Sequence, residues 1–216
     1  MLSVRAATAF PSSILWAMSA ILPARTALPR LGPYRVADYA RLPDEPRCEL
    51  VFGRYHVTPS PFPRHQIVTQ VLWRHLDRIA EAAGGLAFQA PLDVVLADHS
   101  VVQPDLLYVS SARVELVGNG VEGAPDLVVE ILSAGTARYD RGRKLQLYAL
   151  YGIEEYWLVD HERRQIDFLI NEAGRFVAAA AVAGRYQSAR IPEIHLDLPH
   201  LWKQVDAVLL RAPRAR

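Results

Sequence analysis

Apolar residues repeat with the period of an α-helix in one long segment and with the period of a β-strand in several others. The helical repeat covers residues 65–83, and the pair Gly84-Gly85 marks its end. Its apolar face is built from residues at three- and four-residue steps: Ile67, Val68, Val71, Leu72, His75, Leu76, Ile79 and Ala83. The pattern predicts a helix that packs through one face.

Segments with strand-like patterns lie on both sides of this helix. Residues 49–58 predict a hairpin that turns at Gly53. The other expected elements are a short helix at 34–41, strands at 88–96, at 101–109 with an interruption at Pro104, and at 126–132, a helix at 138–151, a strand at 155–160, and a hairpin of 165–170 and 175–181. Helices and strands in this order predict an α/β fold with additional β structure.

Composition indicates one globular domain. The chain has 216 residues and a formal net charge of +1, with 51% hydrophobic and 22% charged residues. These values are unlike those of a polycation or a disordered chain, so any basic surface for nucleic acid must be local. We assign residues 34–205 to the domain, 1–33 to an N-terminal extension and 206–216 to a basic C-terminal tail.

The N-terminal extension has two interpretations. Arg5, Arg25 and Arg30, without any acid, and an apolar run at 14–22 have the character of a signal peptide. Ser19 interrupts the run, Pro11, Ser12 and Ser13 precede it, and no good cleavage site follows, which favours an over-extended start or a disordered tail. Cys48 is the single cysteine, so there is no internal disulfide, and no stretch reaches the ~18 apolar residues of a membrane helix. We therefore expect a cytoplasmic protein that does not span a membrane.

Glu130 is the most informative residue of the strand at 126–132. Alternation along the strand places it between Val128 and Leu132, on a face that the apolar run predicts to be buried. Burying an ionised carboxylate costs several kcal/mol unless it is paired or bound to a metal. Taken alone, this pattern leaves both a structural ion pair with an arginine and a functional site open.

Asp105 stands at the start of the preceding apolar strand, directly after Pro104, which removes a ladder hydrogen bond there. If the strands of Asp105 and Glu130 are neighbours, the two carboxylates converge. Converging carboxylates repel each other and are tolerated with a shared proton or a shared cation. Oxygen ligands of this kind suit Mg²⁺ or Mn²⁺, so the pair is a candidate metal site.

Lys144 lies on the predicted helix that follows Glu130. Asp140, Lys144 and Tyr148 are spaced by four and share one side of that helix. A lysine on this side is able to reach back over the strand end. On spacing alone, a solvated Asp140–Lys144 pair worth a few tenths of a kcal/mol is the simpler interpretation.

Together these segments resemble the Uma2 family of restriction-endonuclease-like proteins, within the PD-(D/E)XK nuclease superfamily. The resemblance covers roughly residues 34–203 and is carried by YRVADY at 34–39, ELVFG at 49–53, TPSP at 58–61, QPD at 103–105, VVEILS at 128–133, DRGRKLQLY at 140–148 and GIEEYWLVD at 152–160. It implies a restriction-endonuclease-like core, in which helices flank a mixed central β-sheet in the order αβββαβ, here with extra β-hairpins.

The resemblance also implies a catalytic site. Asp105 and Glu130 would bind Mg²⁺ or Mn²⁺, with the backbone carbonyl of Ile131 as a further ligand. The superfamily's usual lysine, two residues after the second acid, is replaced by Leu132. Lys144 matches the place to which this family moves the lysine, and it would orient the attacking water or stabilise charge on the phosphate.

Further residues match the family or suit a nucleic-acid substrate. Glu49 matches an acidic position and is a candidate catalytic acid outside the metal's direct ligands, although a hairpin glutamate is commonly just solvated. His65 matches as well, as a residue that contacts phosphate or supports the structure. Arg138, Arg141 and Arg143 are candidates for contacts to the nucleic-acid backbone, which give affinity without sequence reading.

The function that follows is a metal-dependent endonuclease acting on nucleic acid, with DNA as the expected substrate and a homodimer as the expected assembly. Two alternatives stay open. The first is a nucleic-acid-binding or regulatory module of the same fold that does not cleave. The second is a hydrolase that uses the acid pair on another substrate without metal, as glycosidases do.

Overall fold

A computed structural model describes residues 29–211 of the chain. Most of the predicted extension at 1–33, including the apolar run at 14–22, lies outside the described residues, as do the last five residues of the predicted tail. The helices are α1 (Val36–Tyr39), α2 (Pro63–Ala83), α3 (Ala137–Tyr139), α4 (Leu145–Leu150) and α5 (Leu198–Leu209), with a π-helical turn at Asp140–Lys144 between α3 and α4 and a 3-10 helix at Ser111–Leu116. Within 29–211, none of the helices combines the length and the apolar character needed to cross a membrane.

The strands are short, and most of them contain three to six residues. They are β1 (Cys48–Val51), β2 (Arg54–Val57), β3 (Leu86–Gln89), β4 (Val94–Ala97), β5 (Ser100–Val102), β6 (Leu106–Val109), β7 (Val121–Glu122), β8 (Leu127–Ile131), β9 (Glu155–Asp160), β10 (Gln165–Asn171), β11 (Phe176–Ala179), β12 (Arg185–Gln187) and β13 (His195–Asp197). The hairpin that turns at Gly53 and the hairpin of β10 and β11 are both confirmed.

Two larger sheets organise these strands. One has the order β11-β10-β9-β8-β6-β3 and the other the order β2-β1-β5-β4-β7. β8 pairs with β9 in parallel, as β4 does with β7, while the other neighbours in these sheets are antiparallel. Helices flank the sheets, so the predicted mixed α/β fold is confirmed.

The predicted strands at 88–96 and 101–109 each divide into two. In both cases the first half and the second half join different sheets: β3 and β4 in one case, β5 and β6 in the other. Each divided segment contains a proline, Pro91 or Pro104, which has no N–H to continue a ladder. The second crossing matters most for function, because it places Gln103 and Asp105 between the two sheets.

The six-stranded sheet is covered on both faces, and β8 shows this residue by residue. Leu127, Val129 and Ile131 belong to the core cluster formed with α2 and α5. Val128 and Leu132 belong to the cluster formed with α4 and the second sheet. The predicted alternation along this strand is therefore confirmed, and Glu130 points with Val128 and Leu132.

The C-terminal helix α5 was missed in the sequence. Asp197 caps it by accepting a hydrogen bond from the His200 N–H at 2.9 Å, and its apolar residues Leu201, Trp202 and Val205 are buried. The aspartate followed closely by a proline was a usable start signal. The domain boundary placed at 205 lies inside this helix, which continues to Leu209.

Replacing Gly53 tests the close approach that fixes the first hairpin. Gly53 has φ +72°, and a Cβ built there would lie 2.5 Å from the carbonyl oxygen of Gly32. Gly174 has a similar φ of +82° with nothing within 4 Å of such a Cβ. We expect Gly174→Ala to cost about 1–2 kcal/mol of unfolding free energy for its left-handed backbone, and Gly53→Ala to cost clearly more. Urea unfolding measures both, and equal losses would contradict the close approach.

Candidate metal and nucleic-acid site

A cavity of about 270 Å³ opens where the two sheets, the start of α2 and the helical run from α3 to α4 meet. Its lining is rich in carboxylates and includes Arg47, Glu49, His56, His65, Gln103, Asp105, Glu130, Ile131, Tyr139, Asp140 and Lys144. The candidate metal ligands, the candidate lysine and His65, which lie far apart in the chain, therefore share one cavity.

The pairing of β6 with β8 brings Asp105 to Glu130. These strands are antiparallel neighbours, with Leu106 opposite Val129. This is the arrangement that convergence of Asp105 and Glu130 required. Asp105 Oδ2 accepts a hydrogen bond from the N–H of Ile131 at 2.7 Å. Asp105 is therefore held against the backbone next to Glu130.

Lys144 lies deep inside this cavity and not in solvent. Its Nζ donates to Glu130 Oε1 at 2.8 Å and lies 2.9 Å from Glu49 Oε1, while Asp140 Oδ1 is 4.0 Å away. Only 4% of the Lys144 surface and 4% of the Glu130 surface is exposed. The solvated Asp140–Lys144 pair that spacing alone favoured is therefore wrong, because all three carboxylates that surround the ammonium are buried.

One ammonium does not neutralise the carboxylates around it. Burial raises the pKa of Glu130 well above its ordinary value; the charge of Lys144 opposes this, while Asp140, Asp105 and Glu49 add to it. Burial also raises the pKa of Asp140, to about 6. Burial by itself would lower the pKa of Lys144, yet Glu130, Glu49 and Asp140 together raise it well above the ordinary value. The lysine stays charged, and the surplus negative charge favours protons or another cation.

Glu49 is part of the cluster although it comes from the other sheet. It is buried on β1, and its Oε1 accepts the N–H of Gln103 at 2.8 Å in addition to its contact with Lys144. A solvated hairpin glutamate is therefore not what the structure shows. The catalytic role that the family resemblance implied for Glu49 stays a prediction.

His65 supports Asp105 from the first turns of α2. Its Nε2 lies 3.1 Å from Asp105 Oδ2, and the Thr69 hydroxyl lies 3.4 Å from its Nδ1 while donating to its backbone carbonyl. The histidine is nearly buried and is held between these groups. Its position fits a residue that orients the carboxylate.

The three candidate arginines lie outside the cavity lining. Arg138, Arg141 and Arg143 are exposed on the helical run, and Arg141 pairs with Asp167 at 2.6 Å. Arg47, which sequence reasoning did not select, is the arginine that lines the cavity.

Other site residues were also missed. The Tyr148 hydroxyl donates to Glu130 Oε1 at 2.8 Å, and Asp140 faces the same cavity. Their four-residue spacing with Lys144 placed them on one side of the predicted helix, but it did not mark them as site residues. Tyr139 and His56 stack with ring centroids 3.7 Å apart and form another part of the wall. That contact joins distant segments, so the sequence offers no local signal for it.

The donors in this cavity suit a hard divalent cation. They are carboxylate oxygens with surplus negative charge, which suit Mg²⁺ and Mn²⁺, and Ile131, whose carbonyl is the predicted further ligand, also lines the cavity. Across residues 29–211 no group of three or more His, Cys, Asp or Glu forms a ready metal cage. Mg²⁺ commonly binds through one or two carboxylates together with water and substrate, so Asp105 and Glu130 fit this mode.

Comparison with solved structures defines the class of the fold. The chain is similar to a crystal structure from Anabaena variabilis, described as "a putative nuclease belonging to DUF820". The two share 20% sequence identity with a TM-score of 0.66, over 80% of this chain and 99% of that one. The fold is thus the nuclease-like α/β fold.

The sequence also matches a family model described as "Putative restriction endonuclease", over residues 36–202. The chain belongs to this family, Uma2, and the resemblance seen in its motifs is confirmed. No curated protein matches the chain.

Asp140→Asn should change the pH dependence of stability in the metal-free protein. The pKa of Asp140 is about 6 in the folded state against an ordinary 3.8, so the folded state binds this proton more tightly. Protonated Asp140 therefore stabilises the folded state at a pH below its unfolded pKa of 3.8. This stabilisation is lost as pH rises through about 6. The unfolding free energy of the parent should therefore fall relative to Asp140→Asn between about pH 4 and 6. Urea unfolding in EDTA measures this, with Glu172→Gln as an exposed control, and a constant difference between parent and Asp140→Asn would refute the raised pKa.

Proposed function

We propose that this chain is a metal-dependent endonuclease that hydrolyses phosphodiester bonds of nucleic acid, with DNA as the first substrate to test. The observation that carries the proposal is the buried cluster of Glu130, Glu49 and Asp140 around the single ammonium of Lys144, with Asp105 lining the same cavity. Membership of a family described as "Putative restriction endonuclease" supports it, as does the description of the Anabaena protein as "a putative nuclease".

Asp105 and Glu130 would hold Mg²⁺ or Mn²⁺, with the carbonyl of Ile131 as a further oxygen donor. Such an ion, when bound, supplies positive charge to a phosphate and makes water more acidic. His65 and the Ile131 N–H hold Asp105 in place through their contacts to Oδ2. The carboxylate therefore keeps one orientation and leaves Oδ1 for a cation, which lowers the entropy lost when the site is used.

Lys144 would act as a charged donor and not as a base. Its pKa is raised well above the ordinary value, so it carries its proton at neutral pH. An ammonium placed beside the site of attack stabilises negative charge that develops on the phosphate. Glu49 holds the same ammonium at 2.9 Å and would keep it in place when Glu130 engages a cation.

Arg138 and Arg143 would contribute outside the cavity. They are exposed on the helical run that carries Lys144, where a nucleic-acid backbone that enters the site would pass. Contacts of this kind give affinity that falls steeply with salt and does not depend on base sequence. Arg141 would have to leave Asp167 to take part.

Purified protein should nick plasmid DNA or cut single-stranded DNA in Mg²⁺ or Mn²⁺, and EDTA should abolish the cleavage. Glu130→Ala should abolish it too, because the variant loses a candidate metal ligand. Glu172→Ala, which removes an exposed carboxylate on the turn after β10, is the matched control and should cut like the parent. Calorimetric titration with Mn²⁺ provides a second readout, in which only Glu130→Ala loses binding.

The outcomes separate the candidate functions. Cleavage that persists in EDTA would sink the metal-dependent mechanism and favour the metal-free acid pair. Metal and nucleic-acid binding without cleavage would favour the non-cleaving module. Absence of metal binding in the parent would remove the basis of the proposal.

Lys144→Met should lower kcat by about 10²–10³-fold, the usual effect of removing one donor to developing charge. Lys144→Arg, which keeps the charge, should retain more activity than Lys144→Met. Lys203→Met removes an exposed lysine on α5 and serves as the control. Rates are compared at a temperature where circular dichroism shows each variant folded, and full activity of Lys144→Met would exclude the lysine from the reaction.

A further inference from the structure

Two segments form the mouth of the cavity and face each other across it. One is the strap, residues 59–62, which leads into α2, and the other is the turn at 133–136, which leads into α3. A Cβ built on Gly135 would lie 4.0 Å from Pro59 Cγ. A side chain added at position 135 would thus just contact Pro59, so the strap and the turn lie close together on this side of the cavity.

Phe62, the last residue of the strap, exposes a large apolar side chain to solvent. Phe62 is 74% exposed although it belongs to the cavity lining. It is followed by Pro63, and its backbone is extended with φ −76° and ψ 156°. Proline restricts the residue before it, so Phe62 is presented on a stiff segment. A rigid aromatic loses little conformational entropy when it binds a partner.

The charged side chains that line the cavity attract a phosphate group only weakly. Two cationic side chains, Arg47 and Lys144, line the cavity against four carboxylates, and Lys144 is already engaged by Glu130 and Glu49. A substrate strand therefore needs another source of affinity near the mouth. Stacking of a base on an aromatic ring supplies it without regard to sequence, because every base has a π-face.

Resting on the proposed nuclease function, we infer that Phe62 is a stacking platform for an unpaired base and that the site selects single-stranded nucleic acid. A base in an intact duplex is covered by its neighbours and offers no face to the ring. The unpaired strand places a base on Phe62 and leads its phosphate past the strap to Asp105 and Glu130.

Binding in EDTA tests this inference, because stacking does not need the metal and no cleavage interferes. Fluorescence anisotropy of the full chain compares a labelled single-stranded DNA with the same strand annealed to its complement. The parent should bind the single strand more tightly than the duplex. Phe62→Ala should weaken single-strand binding by about tenfold, as expected for the loss of one stacked base. Phe62→Trp should restore it, since the ring is kept.

Val182→Ala is the matched control, because Val182 is 77% exposed and lies outside the cavity. It should bind like the parent, and thermal unfolding should show that all variants fold alike. Equal binding of single strand and duplex, or parental binding by Phe62→Ala, overturns the inference. Either result leaves the proposed function standing if cleavage still requires Glu130. Conversely, Phe62-dependent binding without any metal-dependent cleavage supports the platform and overturns the hydrolysis.

Discussion

The buried ammonium of Lys144 is the interaction on which the rest of this structure depends. It lies between Glu130 on β8 and Glu49 on β1, and these strands belong to different sheets. The π-helical turn that carries the lysine is thereby tied to both sheets at once. A buried charge without partners costs several kcal/mol, so these carboxylates and the lysine require each other.

The same arrangement explains why the site lies where the chain changes sheets. Pro104 ends one ladder, and the residues on its two sides form different hydrogen bonds. The Gln103 N–H donates to Glu49, and Asp105 accepts from the Ile131 N–H. The break in regular pairing thus supplies backbone donors that hold two of the acids. A continuous strand would have used these groups in its own ladder.

In the proposed function, the surplus negative charge inside the cavity would attract the cation, and the apolar ring of Phe62 at its mouth would contact the nucleic acid. The carboxylates are suited to a divalent cation and not to a bare phosphate. Phe62 offers contact that is indifferent to charge. The near-neutral net charge of the chain agrees with a protein that does not depend on a broad basic surface.

The sequence by itself determined the α/β class, the long helix α2 and both faces of β8, because periodicity is a property of local sequence, and the cost of burying Glu130 marked that residue as a candidate. The sequence left open whether the strands of Asp105 and Glu130 are neighbours, which the pairing of β6 with β8 decides. It also identified Glu49 and Lys144, though only through family resemblance, and spacing alone favoured the wrong, solvated state for the lysine. Only the tertiary structure decided that two apolar runs divide between sheets, that Glu49 and Glu130 meet at Lys144, and that Tyr148 binds Glu130. Those contacts join residues 14 to 95 positions apart, and their energies arise from burial shared between elements, which no local pattern encodes.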